Sequence, residues 1–370
     1  MYMSKHRARD WFVQFLFLAV LVSIAIGAVL QTRAGLEAQG SIAGFTFLSR
    51  STGWDIGFSV LPFTPNDTYG RALLIGFLNT IALGVIGVVL ASIVGFTIGL
   101  MRVSAHGLVR LIGTLYVECF RNVPLILQLF LYYAVLSRLP SPRNALALGE
   151  MAFASNRGFY LPWPEWQHPA IWLAFLGIGA LVWAVATGRQ NRLWLAVAVG
   201  GVSAAVAVFW DAPLFDVPAR AGLNFKGGLR LSPELSALAL AMGIYGGAYI
   251  AEVVRAGFNT VPKGVSEAGI SLGMRPLPLF LKVRWPLALR AMLPTLANQY
   301  IWLIKATTLG IAIGFTDFFM VVSTSINQSG QTIELIGILM GGFLLLNFTL
   351  ARLMNIGIKR MKIPGLGEAK

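Results

Sequence analysis

Pro262-Lys-Gly-Val-Ser-Glu267-Ala268-Gly269-Ile-Ser-Leu-Gly273-Met-Arg-Pro276, continued nine residues after Gly273 by Val283-Arg284-Trp285-Pro286, is a hydrophilic stretch between two apolar runs. Arg275, Lys282, Arg284 and Arg290 lie along it. Pro262 suits a first helical turn, Val265, Ala268 and Leu272 share one helical face, and Gly273 can take the left-handed cap. Pro276 can then open a second short helix. The spacing predicts a two-helix elbow lying on a membrane surface.

The solvent of the rest of the chain follows from composition. Mean hydropathy is +0.72, 56% of residues are hydrophobic and 12% are charged, whereas an ordinary soluble domain carries about 25% charged residues. The chain is read as a polytopic membrane protein, all-α, because its apolar runs reach the roughly 20 residues of a spanning helix and not the shorter alternating segments of a barrel. About eight spanning candidates run approximately over 11–30, 73–101, 111–137, 170–187, 193–210, 235–255, 291–315 and 333–357. The first is longer than a signal-peptide core and ends without a clear cleavage site, so a retained anchor is expected. The domain reading is an anchor and external loop at 1–72 and a core at 73–358, with an inserted helix pair near 170–210, the elbow near 256–290, and a tail at 359–370.

The net charge of +14 raises nucleic acid as a partner, but the cations are dispersed between hydrophobic spans and form no basic face. They sort by membrane side instead. With the N-terminus inside, Lys5, Arg7, Arg9, Arg102, Arg110, Arg189, Arg192, the elbow cations and Lys359, Arg360 and Lys362 are all cytoplasmic, and the longer opposite loops carry fewer. The positive-inside rule selects that orientation, with both termini and the elbow in the cytoplasm. Segments 31–72 and 138–169, rich in Gly, Pro, Ser and aromatics, read as ordered external loops.

Glu267-Ala268-Gly269, three residues to Gly273, then nine to Val283, Trp285 and Pro286 resembles the EAA loop of ABC importer permeases, with Gly, Val and Trp replacing the usual third Ala, Ile and Leu. Phe77-Leu-Asn79-Thr80, Tyr116-Val-Glu118-Cys-Phe-Arg121-Asn-Val-Pro124, Gly247-Ala-Tyr249-Ile-Ala-Glu252 with Arg255, and Asn298 with Lys305-Ala-Thr-Thr308-Leu are similar to the landmarks of polar amino-acid permeases. The extra first span, Ser41–Leu48 and the inserted pair look like the larger permease subunits of general L-amino-acid importers. The resemblance implies a type I importer permease core in a bacterial inner membrane. It also implies a second permease (a homologous heterodimer being favoured), a cytoplasmic ATPase dimer carrying ATP and Mg, and a periplasmic amino-acid-binding protein. Glu267, Ala268, Gly269, Gly273, Arg284 and Pro286 would then couple to the ATPase.

Polar residues inside apolar spans are costly against lipid and must face protein or water. Tyr245, Tyr249 and Glu252 recur on one helical face, as do Asn298, Trp302 and Lys305, with Thr308 beyond them. Together they form a candidate substrate path. Lys305 and Asn298 are carboxylate candidates, and Tyr249 and Glu252 are ammonium candidates. The structural alternative pairs Glu252 with Arg255 and gives Lys305 a role within the bundle. Glu118 and Arg121, three apart, can neutralise one another. Pro124 should break its span, making the break a candidate gate. Gly95 with Gly99, Gly243 with Gly247, and Gly337 with Gly341 permit close helix contacts.

Catalytic patterns are absent from the sequence. There is no phosphate-cradling G-x-x-x-x-G-K-[ST] loop and no H-E-x-x-H, and His6, His106 and His168 are read in separate connecting segments. The single cysteine, Cys119, excludes an intrachain disulfide. An import permease is the leading reading, and a stand-alone secondary transporter or channel, using an intramembrane charge as a relay, is the alternative.

Overall fold

The computed structural model describes residues 3–38, 44–149, 151–186, 193–210 and 213–360. The eight expected apolar stretches fall largely on helices: 111–137 is interrupted between Asn122 and Leu125, 291–315 passes into a 3-10 turn at Ala306, and residue 187 lies outside the described residues. Among the described residues, three helices are long and apolar enough to cross a membrane, or up to five if each of two bent helix pairs counts as one span. Shorter apolar stretches lie at Phe12–Ile24, Pro169–Leu181 and Trp194–Phe209.

The chain divides into two compact units. The first holds residues 1–82 and 316–359. It contains α1 (Met3–Ala38), the start of α2 (Tyr69–Arg102), α11 (Phe318–Ser329) and most of α12 (Thr332–Arg360). Its core joins Phe47, Ile56, Tyr69, Leu73 and Ile75 to Phe318, Val321, Val322 and Leu335. Asn79, fully buried, ties this unit together. Its Nδ2 donates to the carbonyls of Phe58 and Thr316 at 2.7 and 2.8 Å, and its Oδ1 accepts from Val60 N at 3.1 Å. Thr80 Oγ1 accepts from Phe318 N at 2.9 Å, so the Asn-Thr pair secures the start of α11. Replacing Asn79 with Leu removes three buried hydrogen bonds at nearly constant volume and should cost about 3 kcal/mol. Thermal unfolding of the purified protein, followed by tryptophan fluorescence, should show a midpoint lowered by several degrees. An unchanged midpoint would mean that these bonds contribute nothing.

The second unit holds residues 83–315 among the described ones. It contains the rest of α2, α3 (Gly107–Asn122), α4 (Leu125–Ser137), α5 (Pro169–Ala186), α6 (Leu193–Phe209), α7 (Pro233–Asn259), α8 (Lys263–Ser271), α9 (Pro276–Leu279) and α10 (Trp285–Lys305). Helix α7 is its centre, with 67% of its apolar window buried. Ser232 caps it by accepting from Leu235 N, Pro233 opens the first turn, and Glu234 complements the helix dipole there. Gly95 and Gly247 let α2 and α7 touch, since a Cβ on Gly95 would overlap Ile250 and one on Gly247 would lie 2.7 Å from Val94. Gly99 meets Val254 and Gly243 meets Leu90 in the same way. Gly337 and Gly341 on α12 have nothing within 4 Å, so no close contact forms there among the described residues.

Several expectations need correction. Residues 31–38 continue α1 instead of starting a loop, and His6 lies within that helix. Residues 41–43 of the Ser41–Leu48 segment lie outside the described residues, and Thr46–Ser49 forms a 3-10 turn. The tail beyond 360 is also outside them. The loop at 138–169 is not merely ordered but contains strands, so the helical bundle carries a small β element. Strands β1 (Leu146–Ala147), β2 (Phe153–Ser155), β3 (Gly158–Leu161) and β8 (Leu229–Leu231) form an antiparallel sheet in that order. Strands β4 (Trp163–Pro164) with β5 (Phe215–Asp216), and β6 (Ala219–Ala221) with β7 (Asn224–Lys226), form two smaller pairs. Strands of two to four residues are too short for a period-2 pattern to register.

Candidate functional site

The elbow forms within the second unit. Helix α8 ends in a Schellman arrangement, with Met274 N donating to Gly269 O at 3.0 Å and Gly273 N to Ile270 O at 2.9 Å. Gly273 takes φ +74°. Gly269, where the resembling motif has Ala, is buried, and a Cβ there would overlap Leu279 of α9. The small residue therefore makes room for the Leu279 side chain between the two short helices. Trp285 occupies another altered position of the motif and fills an aromatic cluster with Phe96, Phe258 and Phe280, ring centroids 5.9 to 6.1 Å from it. A π-helical turn over Phe280–Arg284 leads into α10, which has Pro286 in its first turn. This turn was not foreseen. Glu267 and Ala268 are exposed, as are Ile270, Leu272, Leu277 and Leu281. Arg284 is half-buried, and its Nε has no partner among the described residues.

Small residues also bring α10 against α7. A Cβ on Gly246 would lie 3.1 Å from Leu303, and one on Gly257 would lie 3.0 Å from Met292. Tyr245 and Tyr249 of α7 and Trp302 of α10 then form a ring trio, with centroids 4.9, 5.8 and 6.2 Å apart. The two tyrosine hydroxyls bond at 3.2 Å. Trp302 remains 40% exposed. Asn298 and Lys305 are exposed on the same helix, and Thr308 Oγ1 donates to Lys305 O in the 3-10 turn Ala306–Ile313 that follows. Glu252 is ion-paired to both Arg255 and Arg102. Of its two sequence readings, the geometry matches the structural one.

The third group lies at a break. Helices α3 and α4 meet at 97°, with Pro124 at the start of α4. Buried Gln128 stabilises the break by donating from Nε2 to the carbonyls of Phe120 and Val123 at 2.7 and 3.0 Å. Sequence reasoning missed Gln128, although an amide inside Leu125-Ile-Leu-Gln128-Leu-Phe was a visible signal. The expected Glu118–Arg121 pair does not form. Glu118 instead accepts from Asn122 Nδ2 at 3.3 Å, and the guanidinium of Arg121 stacks over the Tyr249 ring at 5.5 Å. An exposed salt bridge three residues apart contributes little, and the ring face offers a comparable gain.

No cluster of three or more His, Cys, Asp or Glu able to hold a metal occurs among the described residues.

Known proteins bear on this arrangement. The family profile described as "Binding-protein-dependent transport system inner membrane component" matches residues 87–363. The putative amino-acid ABC transporter permease protein YhdX of Escherichia coli K12 is 39% identical over 372 residues, covering 96% of this chain and 94% of that one. The general L-amino acid transport system permease protein AapQ of Rhizobium johnstonii is 39% identical over 351 residues, covering 91% and 87%. In fold, the chain resembles the crystal structure of an amino acid ABC transporter with histidines at a TM-score of 0.50 and 20% identity, over 79% of this chain and 95% of that one. The chain therefore belongs to the inner-membrane components of binding-protein-dependent transport systems, as an amino-acid ABC transporter permease.

Proposed function

We infer that this permease imports diverse L-amino acids from periplasm to cytoplasm as the larger of two homologous permease subunits. ATP and Mg are held by a separate cytoplasmic ATPase dimer, and substrate is delivered by a periplasmic binding protein. The observation that carries the reading is the elbow, a rigidly capped helix pair that exposes Glu267 and an apolar rim directly between α7 and α10. Those two helices also carry the ring trio. Movement imposed on the elbow is thus passed to the substrate surface by rigid elements, which alternating access requires. The exposed Gly337 and Gly341 face of α12 is suited to a second permease, and the first helix and both termini follow the cytoplasmic charge bias. A secondary transporter working alone needs no docking elbow, which favours the import reading over it; of the two charges that could serve it as a relay, Glu252 is engaged by two arginines and Lys305 is exposed.

One pocket cannot complement both acidic and basic side chains, so recognition across amino acids must rest on the shared carboxylate and ammonium. Lys305→Met should then lower uptake of Asp, Leu and Arg alike by roughly tenfold or more, the loss of one charge-assisted contact. Competition uptake by reconstituted complexes, with copurification of the ATPase as control, checks this. Loss of acidic substrates alone would mean that Lys305 reads side chains, and unchanged uptake of all three would remove it from the path.

A further inference from the structure

We propose that Arg121 receives the carboxylate of the transported amino acid, while the Tyr245–Tyr249–Trp302 ring trio receives its ammonium group. This rests on the import reading and names the chemistry of its substrate surface.

Among the described residues, Arg121 makes no ion pair, and it is exposed. Its guanidinium lies over the Tyr249 ring, 5.5 Å from the centroid. A guanidinium carries a planar fork of N–H donors, and among the described residues no hydrogen bond or ion pair engages that of Arg121. That fork fits a carboxylate in two parallel hydrogen bonds. The ring beneath fixes its position, and the α3–α4 break secured by Gln128 fixes the backbone that bears it. Discontinuous helices are where transporters place polar substrate groups.

The ammonium side follows from elimination and geometry. Glu252, the acidic side chain on the same face of α7 as Tyr245 and Tyr249, is held by Arg102 and Arg255. The aromatic trio lies directly beside Arg121 through Tyr249. The three centroids lie within 6.2 Å of one another, and Trp302 keeps 40% of its surface exposed. Ring faces attract a desolvated ammonium. The Tyr245–Tyr249 bond leaves one hydroxyl proton for a further acceptor, a second contact for the carboxylate. Neither contact reads the side chain, so the site admits acidic, neutral and basic amino acids.

The test is equilibrium binding of leucine and leucinamide to the assembled permease–ATPase complex in nanodiscs, without binding protein, by isothermal titration. Leucinamide keeps the ammonium and side chain and lacks the carboxylate. The wild type should prefer leucine by roughly ten- to a hundredfold. Arg121→Gln should lower leucine binding by that factor and leave leucinamide unchanged, erasing the preference. Arg121→Lys should restore part of it through charge without the fork. If Arg121→Gln weakens both ligands equally, or neither, the assignment is overturned. A wild-type complex that drives uptake yet binds neither ligand would overturn this site and leave the import reading standing, whereas absence of amino-acid uptake with binding protein present would remove the import reading itself.

Discussion

Gly273→Val should abolish amino-acid uptake and substrate-stimulated ATP hydrolysis while leaving the permease in the membrane. Gly273 sits at φ +74° with open space where a Cβ would be, so the substitution strains the backbone and clashes with nothing. A β-branched residue held left-handed costs roughly 1–3 kcal/mol. The turn relieves that strain by abandoning the bonds from Met274 N to Gly269 O and from Gly273 N to Ile270 O, which close the cap between α8 and α9. The bundle around α7 is untouched, and the effect stays in the elbow. Glu267→Lys is the complementary test. Its side chain is exposed and has no partner among the described residues, so charge reversal changes nothing inside the chain and everything at a partner's surface. Uptake should fall roughly tenfold or more, as for a reversed charge pair across an interface. Pull-down of the ATPase and uptake in proteoliposomes measure both variants. Normal transport with the ATPase retained would separate this elbow from coupling.

The elbow was legible in sequence because proline and glycine act through the backbone of their own turn. Pro262, Gly273 and Pro276 stand where their conformations require, and no distant contact is needed to read them. The helices were legible for a related reason, since lipid rewards long apolar runs whatever they pack against. The break at Pro124 belongs to the same class. What stabilises that break was not legible in the same way, because Gln128 acts by reaching two carbonyls that only the fold brings near.

Side-chain partnerships were the least legible layer. Sequence spacing offered Arg121 to Glu118 and Glu252 to Arg255 on equal terms, each three residues apart on a helix. The first pair is absent and the second is present. The difference is tertiary. Tyr249 from α7 supplies a ring face to Arg121, while Arg102 from α2 joins Glu252 and draws it into a three-charge group. The departures from the resembling motif became intelligible only through contacts of this kind. Gly269 makes room for Leu279, and Trp285 fills a cluster with Phe96 and Phe258.

Glu252→Ala should destabilise the permease by about 2–3 kcal/mol, between the near-zero value of an exposed ion pair and the 3–5 kcal/mol of breaking a buried one. The exposures set that position. Side-chain exposure is 9% for Arg102, 28% for Glu252 and 35% for Arg255, so removing the carboxylate strands one guanidinium in a nearly dry site and one at its edge. Arg102 Nε already lacks a partner among the described residues, which raises the cost of losing the bond at Nη1. Two second-site changes should therefore differ. Arg102→Leu in the Glu252→Ala background should recover most of the lost stability, because it removes the buried unpaired charge, while Arg255→Leu should recover little. Thermal unfolding of the four proteins in detergent gives the comparison, and added salt should narrow it only slightly for Arg102. The opposite pattern has a distinct meaning. If Glu252→Ala left the unfolding midpoint unchanged and weakened binding of every amino acid, its carboxylate would be the ammonium partner, and the ring trio would lose the role given to it beside Arg121.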